Sequence, residues 1–333
     1  MPLPCRKRRS VLAAASAAAL AALAPIHAFA ADPAADFPSH PVRLIVPYAP
    51  GGLPDTVARI MAQHLTATMG QSFVVENKPG ANGVVAAAAL KSAPRDGYTY
   101  LLTGDSMLSL NPLFYKDLPY DPKRDFVPVS LVASSPLFLV TTPDTGISSL
   151  ADFIAKAKAS PGKLTYGTSG VGSVPHLAME AMALALGLKV THVPYHGSSQ
   201  AVPALIGHQV DVVFTALPSL GGFVAKGDAK LLATDSLKRS SLAPDVPAIS
   251  EVIPGFNAVV LIGALAAPGV PAPIVAKLSA AMAKAARLPE VAKQFHGLGI
   301  EPVGSDPADY AAAIDDVSKR YAATIEAAGI KAK

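Results

Sequence analysis

Tryptophan is absent from the 333 residues, and the single cysteine, Cys5, lies before the first apolar run. With one thiol the chain can form no internal disulfide, and cysteine chemistry is excluded from everything after that run. Charge is also scarce, at 16% of residues against roughly 25% in an average globular chain. Combined with 51% hydrophobic residues, this excludes intrinsic disorder. The formal charge of +4 arises from Arg6, Lys7, Arg8 and Arg9, so the rest of the chain is nearly neutral. It has no basic stripe of the kind nucleic-acid binding needs. No later segment approaches the ~20 apolar residues of a membrane span. There is no H-E-x-x-H motif and no internal repeat, so metal or cofactor chemistry is not expected.

The basic cluster, the small apolar run Val11 to Ala24 and Ala28-Phe29-Ala30 have the three-part order of a secretory signal peptide. Cleavage is expected after Ala30, giving an exported protein. Arg8-Arg9 ahead of Ser10-Val11-Leu12 fits a twin-arginine signal as well as a general secretory one.

Beyond the leader, short apolar runs alternate with amphipathic stretches, which predicts an α/β fold with mostly parallel sheets. Val42 to Val46 reads as a strand, and Val57, Ile60, Met61, Leu65 and Met69 as the stripe of a helix closed by Gly70. Strands are expected at 73–75, 98–102, 129–132 and 137–141, with Ser134-Ser135-Pro136 as a crossing between domains. A second series of strands falls at 164–166, 190–193, 210–214 and 230–234. Asn257 to Ala267 is long enough to return to the first domain. Ser149 has capping-box spacing with Asp152, and Pro307 and Gly329 bracket a closing helix. The predicted organisation is a leader over 1–30, one domain from 31–133 plus 258–333, and a second over 134–257.

Two glycine-rich turns each join a strand to a helix. The first contains Tyr48, Pro50, Gly51, Gly52, Leu53 and Asp55; the second contains Thr168, Ser169, Gly170, Gly172 and Ser173. The free N–H groups of a helix start attract anions, and ligands of open α/β sheets sit beyond the carboxyl ends of strands. The second turn is neither a phosphate loop nor a G-x-S-x-G elbow. Asp105 and Ser106 follow the strand at 98–102, and Asp105 is expected to face the crevice and exclude ligands with several carboxylates. His176, His192, His196 and His208 share the second half, without the spacing of a zinc site.

At these turns the sequence resembles the receptors of the tripartite tricarboxylate transporter family, also called Bug receptors. The matching stretches include PVRLIVPYAPGGLPD from Pro41, VENKPGANG from Val75, LPYDPKRDFVPVSLV from Leu118 and HVPYHGSSQAVPALIGHQVDVVFTALP from His192. The resemblance implies a two-domain periplasmic-binding-protein (Venus-flytrap) fold with two hinge crossings and no enzymatic activity. It implies a small organic anion as ligand, membrane transporter subunits as partners, and a monomer in the periplasm. Asp105 and Thr215-Ala216 depart from the family pattern, which makes an amide an acceptable ligand as well. By position it maps the ligand site onto Tyr48 to Asp55 and onto the turn ending at His176, with Tyr195, Phe214 and Thr215 flanking the cleft. The alternatives are a secreted α/β hydrolase with Ser169 or Ser173 as nucleophile, and a signalling adaptor that docks on a sensor kinase.

Overall fold

A computed structural model describes residues 34–330, apart from residues 49, 81, 82, 196 and 221 and the side chain of Ser199. The leader, Cys5 and His196 therefore lie outside the described residues. The chain opens with β1 (Val42–Val46), α1 (Leu53–Met69), β2 (Phe73–Asn77), α2 (Val84–Lys91) and β3 (Thr99–Gly104). The short helices α3 (Ser106–Ser109), α4 (Asn111–Phe114) and α5 (Pro122–Asp125) lead into β4 (Val127–Ser135). Only Pro136 separates β4 from β5 (Leu137–Thr141), and these two strands belong to different sheets.

The second sheet grows through α6 (Leu150–Ala159), β6 (Thr165–Thr168), α7 (Val174–Leu186), β7 (Thr191–Pro194), α8 (Ser198–Ile206) and β8 (Val212–Ala216). Helices α9 (Leu217–Leu220) and α10 (Phe223–Lys226) precede β9 (Lys230–Thr234). The chain then returns through residues 235–259 to β10 (Val260–Ala266). It ends with α11 (Ala272–Ala286), α12 (Pro289–Gly297), β11 (Glu301–Pro302) and α13 (Pro307–Ala328).

The first sheet has the order β11-β4-β10-β3-β1-β2 and the second β7-β6-β8-β5-β9. Both are mixed, which corrects the expectation of mostly parallel sheets. Strands β1, β2 and β3 run parallel, but β10 is antiparallel to both β3 and β4. In the second sheet β6 is parallel to β7 and β8, while β5 is antiparallel to β8 and β9. The reversed strands include those next to the crossings. A strand arriving from the other lobe needs no βαβ crossover and so escapes the parallel rule.

Local chemistry explains the helix limits. Gly70 ends α1 at φ 75, a left-handed conformation that costs glycine little. Ser149 caps α6 by accepting from Asp152 N at 3.1 Å. Asp306 caps α13 by accepting from Asp309 N at 2.8 Å, and Gly329 closes it. The first lobe is cored by β1, α1 and α11, where Leu44, Met61 and Leu65 pack with Leu278 and Met282. A separate core around Phe138, Leu205 and Val213 fills one face of the second sheet. Helix α13 touches both lobes: β4 and α3 of the first, and α7 of the second.

Candidate functional site

Each lobe offers a glycine turn to the other. In the first lobe, Gly51 adopts φ 85 between β1 and α1, and Pro54 in the first turn fixes the helix direction. Asp55 holds this turn from within. Its Oδ2 accepts from Gly51 N at 2.8 Å and from Arg59 Nε at 2.9 Å, and Oδ1 accepts from Asn77 Nδ2 at 2.8 Å. Burial raises the Asp55 pKa, but these donors outweigh it and the net shift is downward. Tyr48 directs its hydroxyl to Thr103, so the cleft meets mainly ring carbon; burial pushes this phenol up.

The second turn follows β6. Gly170 and Gly172 adopt φ 129 and 75, and Ser173 caps α7 through its backbone only. Most donors of this turn are already paired. Gly170 N donates to Thr168 Oγ1 at 3.2 Å, Ser173 Oγ donates to Gly170 O at 2.7 Å, and Gly172 N donates to His176 Nδ1 at 3.1 Å. The Ser169 hydroxyl, in contrast, has no partner among the described residues and lines the cavity.

Behind the turn, Tyr166, His192 and His176 form a ring stack, with centroids 4.8 Å and 4.0 Å apart along it. His192 Nε2 bonds Thr168 Oγ1 at 2.7 Å, and the Tyr166 hydroxyl donates to Glu180. Desolvation lowers both imidazoles to about 4, so both are neutral at neutral pH. Because His176 Nδ1 accepts from Gly172, its proton is assigned to Nε2. The turn is thus braced by a neutral acceptor.

Between the lobes lies a cavity of ≈ 760 Å³, reached by Gly52, Leu53 and Ser106 from one side and Ser169, Ser173 and Thr215 from the other. A compartment of ≈ 390 Å³ adjoins it, walled by Tyr48, Phe114, Tyr115 and Gly172; the two spaces share Ser106, Ser169 and Ser173. Among the described residues no ionisable Asp, Glu, Lys, Arg or His side chain lines either space. The lobes touch beside both. A Cβ on Gly172 would lie 2.9 Å from the Phe114 ring, and one on Gly299 would lie 2.8 Å from Leu217 Cβ. The lobes are thus in contact at two places along the cleft.

Of the expected site residues, Tyr48, Gly51, Gly52, Leu53, Ser106, Ser169, Gly172, Ser173 and Thr215 are brought to the cleft. Pro50 and Asp55 line an outer groove beside Arg59 and Lys293 instead. Thr168, His176 and Phe214 are buried behind the wall. Gly170 is part of the turn's internal bonding, and Tyr195 packs against Gly167.

Asp105 requires a correction. It is fully buried and does not face the crevice. Its Oδ1 accepts from Leu261 N at 3.1 Å, while Oδ2 faces Ser109 Oγ at 3.3 Å and Tyr321 Oη at 3.5 Å. Strand β10 covers it, so it cannot screen ligands by direct repulsion. The expected ligand hydroxyl bond from Ser173 is also redirected, since that proton already goes to Gly170 O.

Sequence reasoning missed Phe114, Ser198, Ser219, Val260 and Ile300 as cleft residues. Phe114 and Tyr115 fall within a Pro-rich stretch that reads as turns. Gly197 before Ser198 was the available signal for another helix start, where Ser219 Oγ now donates to Ser198 Oγ at 3.0 Å.

Comparison with known proteins places this geometry. A family model described as "Tripartite tricarboxylate transporter family receptor" matches residues 57–330. Protein BugT of Bordetella pertussis is 34% identical over 299 residues, 89% of this chain and 92% of its own. A solved R. palustris protein with adipate superimposes with a TM-score of 0.79 at 32% identity, covering 89% of this chain and 99% of that one. MatC from Rhodopseudomonas palustris, solved with bound malate, gives 0.72 at 29% identity over 87% of this chain and all of its own. These matches establish the two-lobed periplasmic-binding-protein fold.

Proposed function

The chain belongs to the tripartite tricarboxylate transporter receptor family, and from that premise we propose that it captures one small organic acid between its lobes for a membrane transporter. The family and the fold are those of substrate-binding proteins, which are not enzymes. The observation that carries the reading is the second turn. An unpartnered Ser169 hydroxyl and the N-terminus of α7 converge on the cleft above a neutral His176. Helix N-termini and hydroxyl donors suit a carboxylate, and each hydrogen bond to a charged group contributes ~1.5–3 kcal/mol.

The ligand's carboxylate is assigned to Ser169 and the start of α7, and its body to the space between Tyr48 and Phe114. The protein works as an exported monomer after loss of residues 1–30. A hydrolase needs a serine in reach of a base. Here Ser173 donates to a carbonyl, while His176 and His192 engage Gly172 and Thr168.

The deciding experiment is a thermal-shift screen of refolded, ligand-stripped protein against mono-, di- and tricarboxylates and carboxamides. A ligand at ~100 times its dissociation constant contributes about 2.7 kcal/mol. Stabilisation by at least one acid is expected. No shift by any acid, or ester turnover abolished by Ser169→Ala, overturns the reading.

A further inference from the structure

The second turn holds two glycines at positive φ, Gly170 and Gly172, and each is secured from behind by a different histidine. Gly172 N donates to His176 Nδ1 at 3.1 Å. Gly170 N donates to Thr168 Oγ1 at 3.2 Å, and that hydroxyl lies 2.7 Å from His192 Nε2. The imidazoles come from separate elements, His176 from α7 and His192 from β7. Their rings nevertheless stack, with centroids 4.0 Å apart and planes 14° from parallel. Both glycines are thus tied to one stack.

The bonding also assigns a proton to each ring. His176 Nδ1 accepts, so its proton is on Nε2, on the side of the Glu180 carboxylate at 4.0 Å. Thr168 Oγ1 accepts from Gly170 N and has one proton to give. Gly170 O is 3.3 Å away and already accepts from Ser173 Oγ at 2.7 Å. The Thr168 proton therefore goes to His192 Nε2, which leaves the ring's own proton on Nδ1. A charged His176 would set an N–H against the Gly172 N–H and lose the bond. Tyr166 and Glu180 are the other titratable groups facing the pair, and the tyrosine hydroxyl donates to that carboxylate.

We propose that His176 and His192 are positioning residues that set the ligand turn as a matched pair, one through Gly172 and the other through Thr168 and Gly170. This deepens the receptor reading and rests on it for the ligand, although the bonds themselves do not. The pair sorts the backbone donors of the turn. It ties the N–H groups of Gly170 and Gly172 to side chains behind the cleft wall. Those of Ser169 and Val171 have no partner among the described residues, and both residues line the cleft. With the Ser169 hydroxyl they remain for a carboxylate. Desolvation keeps both rings neutral, at about 4, so the two bonds hold at neutral pH.

The test combines magnetic resonance of the mature chain, labelled with ¹⁵N at histidine and glycine, with calorimetry using adipate. At neutral pH the spectra should show His176 protonated on Nε2 and His192 on Nδ1. His176→Phe and His192→Phe keep a ring in the stack but remove the acceptor. Each should shift the Gly170 and Gly172 amide signals and weaken adipate by at least about tenfold. His176→Asn places an oxygen where Nδ1 accepts, and His192→Gln one where Nε2 accepts. Both should restore the glycine signals and bring affinity back to within about threefold. A His176 that is charged, or protonated on Nδ1, overturns the proposal. So do Phe variants with unchanged glycine signals, or Asn and Gln variants no better than the Phe ones. Failure of every acid to bind the unmodified chain overturns the receptor reading, while the tautomers and the glycine signals still judge the pair.

Discussion

Gly51 of the first turn donates to a carboxylate, Asp55, at 2.8 Å, whereas Gly172 of the second donates to an imidazole, His176, at 3.1 Å. Both bonds do the same local work, fixing a left-handed glycine at the mouth of a helix. Their electrostatics differ. Asp55 leaves a fixed negative charge under the first turn, offset by Arg59 from the outer groove. His176 is neutral, because burial holds its pKa to about 4. An anion approaching the second turn meets donors whose immediate acceptor is uncharged, with the Glu180 carboxylate set further back, 4.0 Å from His176 Nε2. A turn braced by a neutral acceptor suits an anion better than one braced by a carboxylate, and on the proposed reading this makes the cleft directional.

The largest way to break this comparison is to keep the lobes from meeting at the second turn. Gly172→Val would force a β-branched residue into φ 75 and drive its Cβ to 2.9 Å from the Phe114 ring. Carboxylate affinity should fall at least about a hundredfold, equivalent to ~2.7 kcal/mol. Gly162→Val is the control, since Gly162 has φ 76 but nothing within 4 Å of a new Cβ. It should show the strain in its melting temperature and leave affinity unchanged. Equal losses of affinity in both variants would show that strain, rather than closure, is responsible.

A smaller effect separates the two serines of the turn. Ser169 has a hydroxyl free to donate to ligand, while the Ser173 hydroxyl already donates to Gly170 O at 2.7 Å. Ser169→Ala should weaken binding by roughly tenfold with little change in stability. Ser173→Ala should cost stability more than affinity. The reverse order, measured by calorimetry and thermal melting, would move the anion away from Ser169.

Much of this was legible in the residues. Pro307 and Gly329 bracket α13 as they stand in the chain, and Lys230 to Thr234 is a strand at both levels, because local apolar spacing and backbone chemistry decide such features. The two glycine turns were also visible as helix starts. What was not visible depends on residues far apart in sequence. Asp105 follows a strand and so reads as a crevice residue, but Leu261, 156 positions later, covers it. The brace on Gly172 was invisible for a related reason. His176 reads as a cleft residue until the stack on His192 and Tyr166 shows it facing inward. Strand direction escaped too, since β5 and β10 enter their sheets from the other lobe.

The smallest expected effect bears most directly on the first turn. In Arg59→Met, Asp55 keeps its bonds from Gly51 N and Asn77 Nδ2 and loses only the guanidinium. Arg59 is about half exposed, with a side chain at 53%, so solvent screens the pair and the loss should be ~0.5–1 kcal/mol. The sign with pH follows from the lowered Asp55 pKa. Stability from a depressed carboxyl is present above its unfolded value, ~3.9, and is lost as pH falls through the folded value. The gap in melting temperature between the two proteins should therefore be open at neutral pH and close in acid. Affinity for a carboxylate should stay within about twofold, because the proposed reading puts the anion at the other turn. A tenfold loss of affinity in Arg59→Met would mean that the first turn also carries the ligand's charge, and the directional cleft would have to be abandoned.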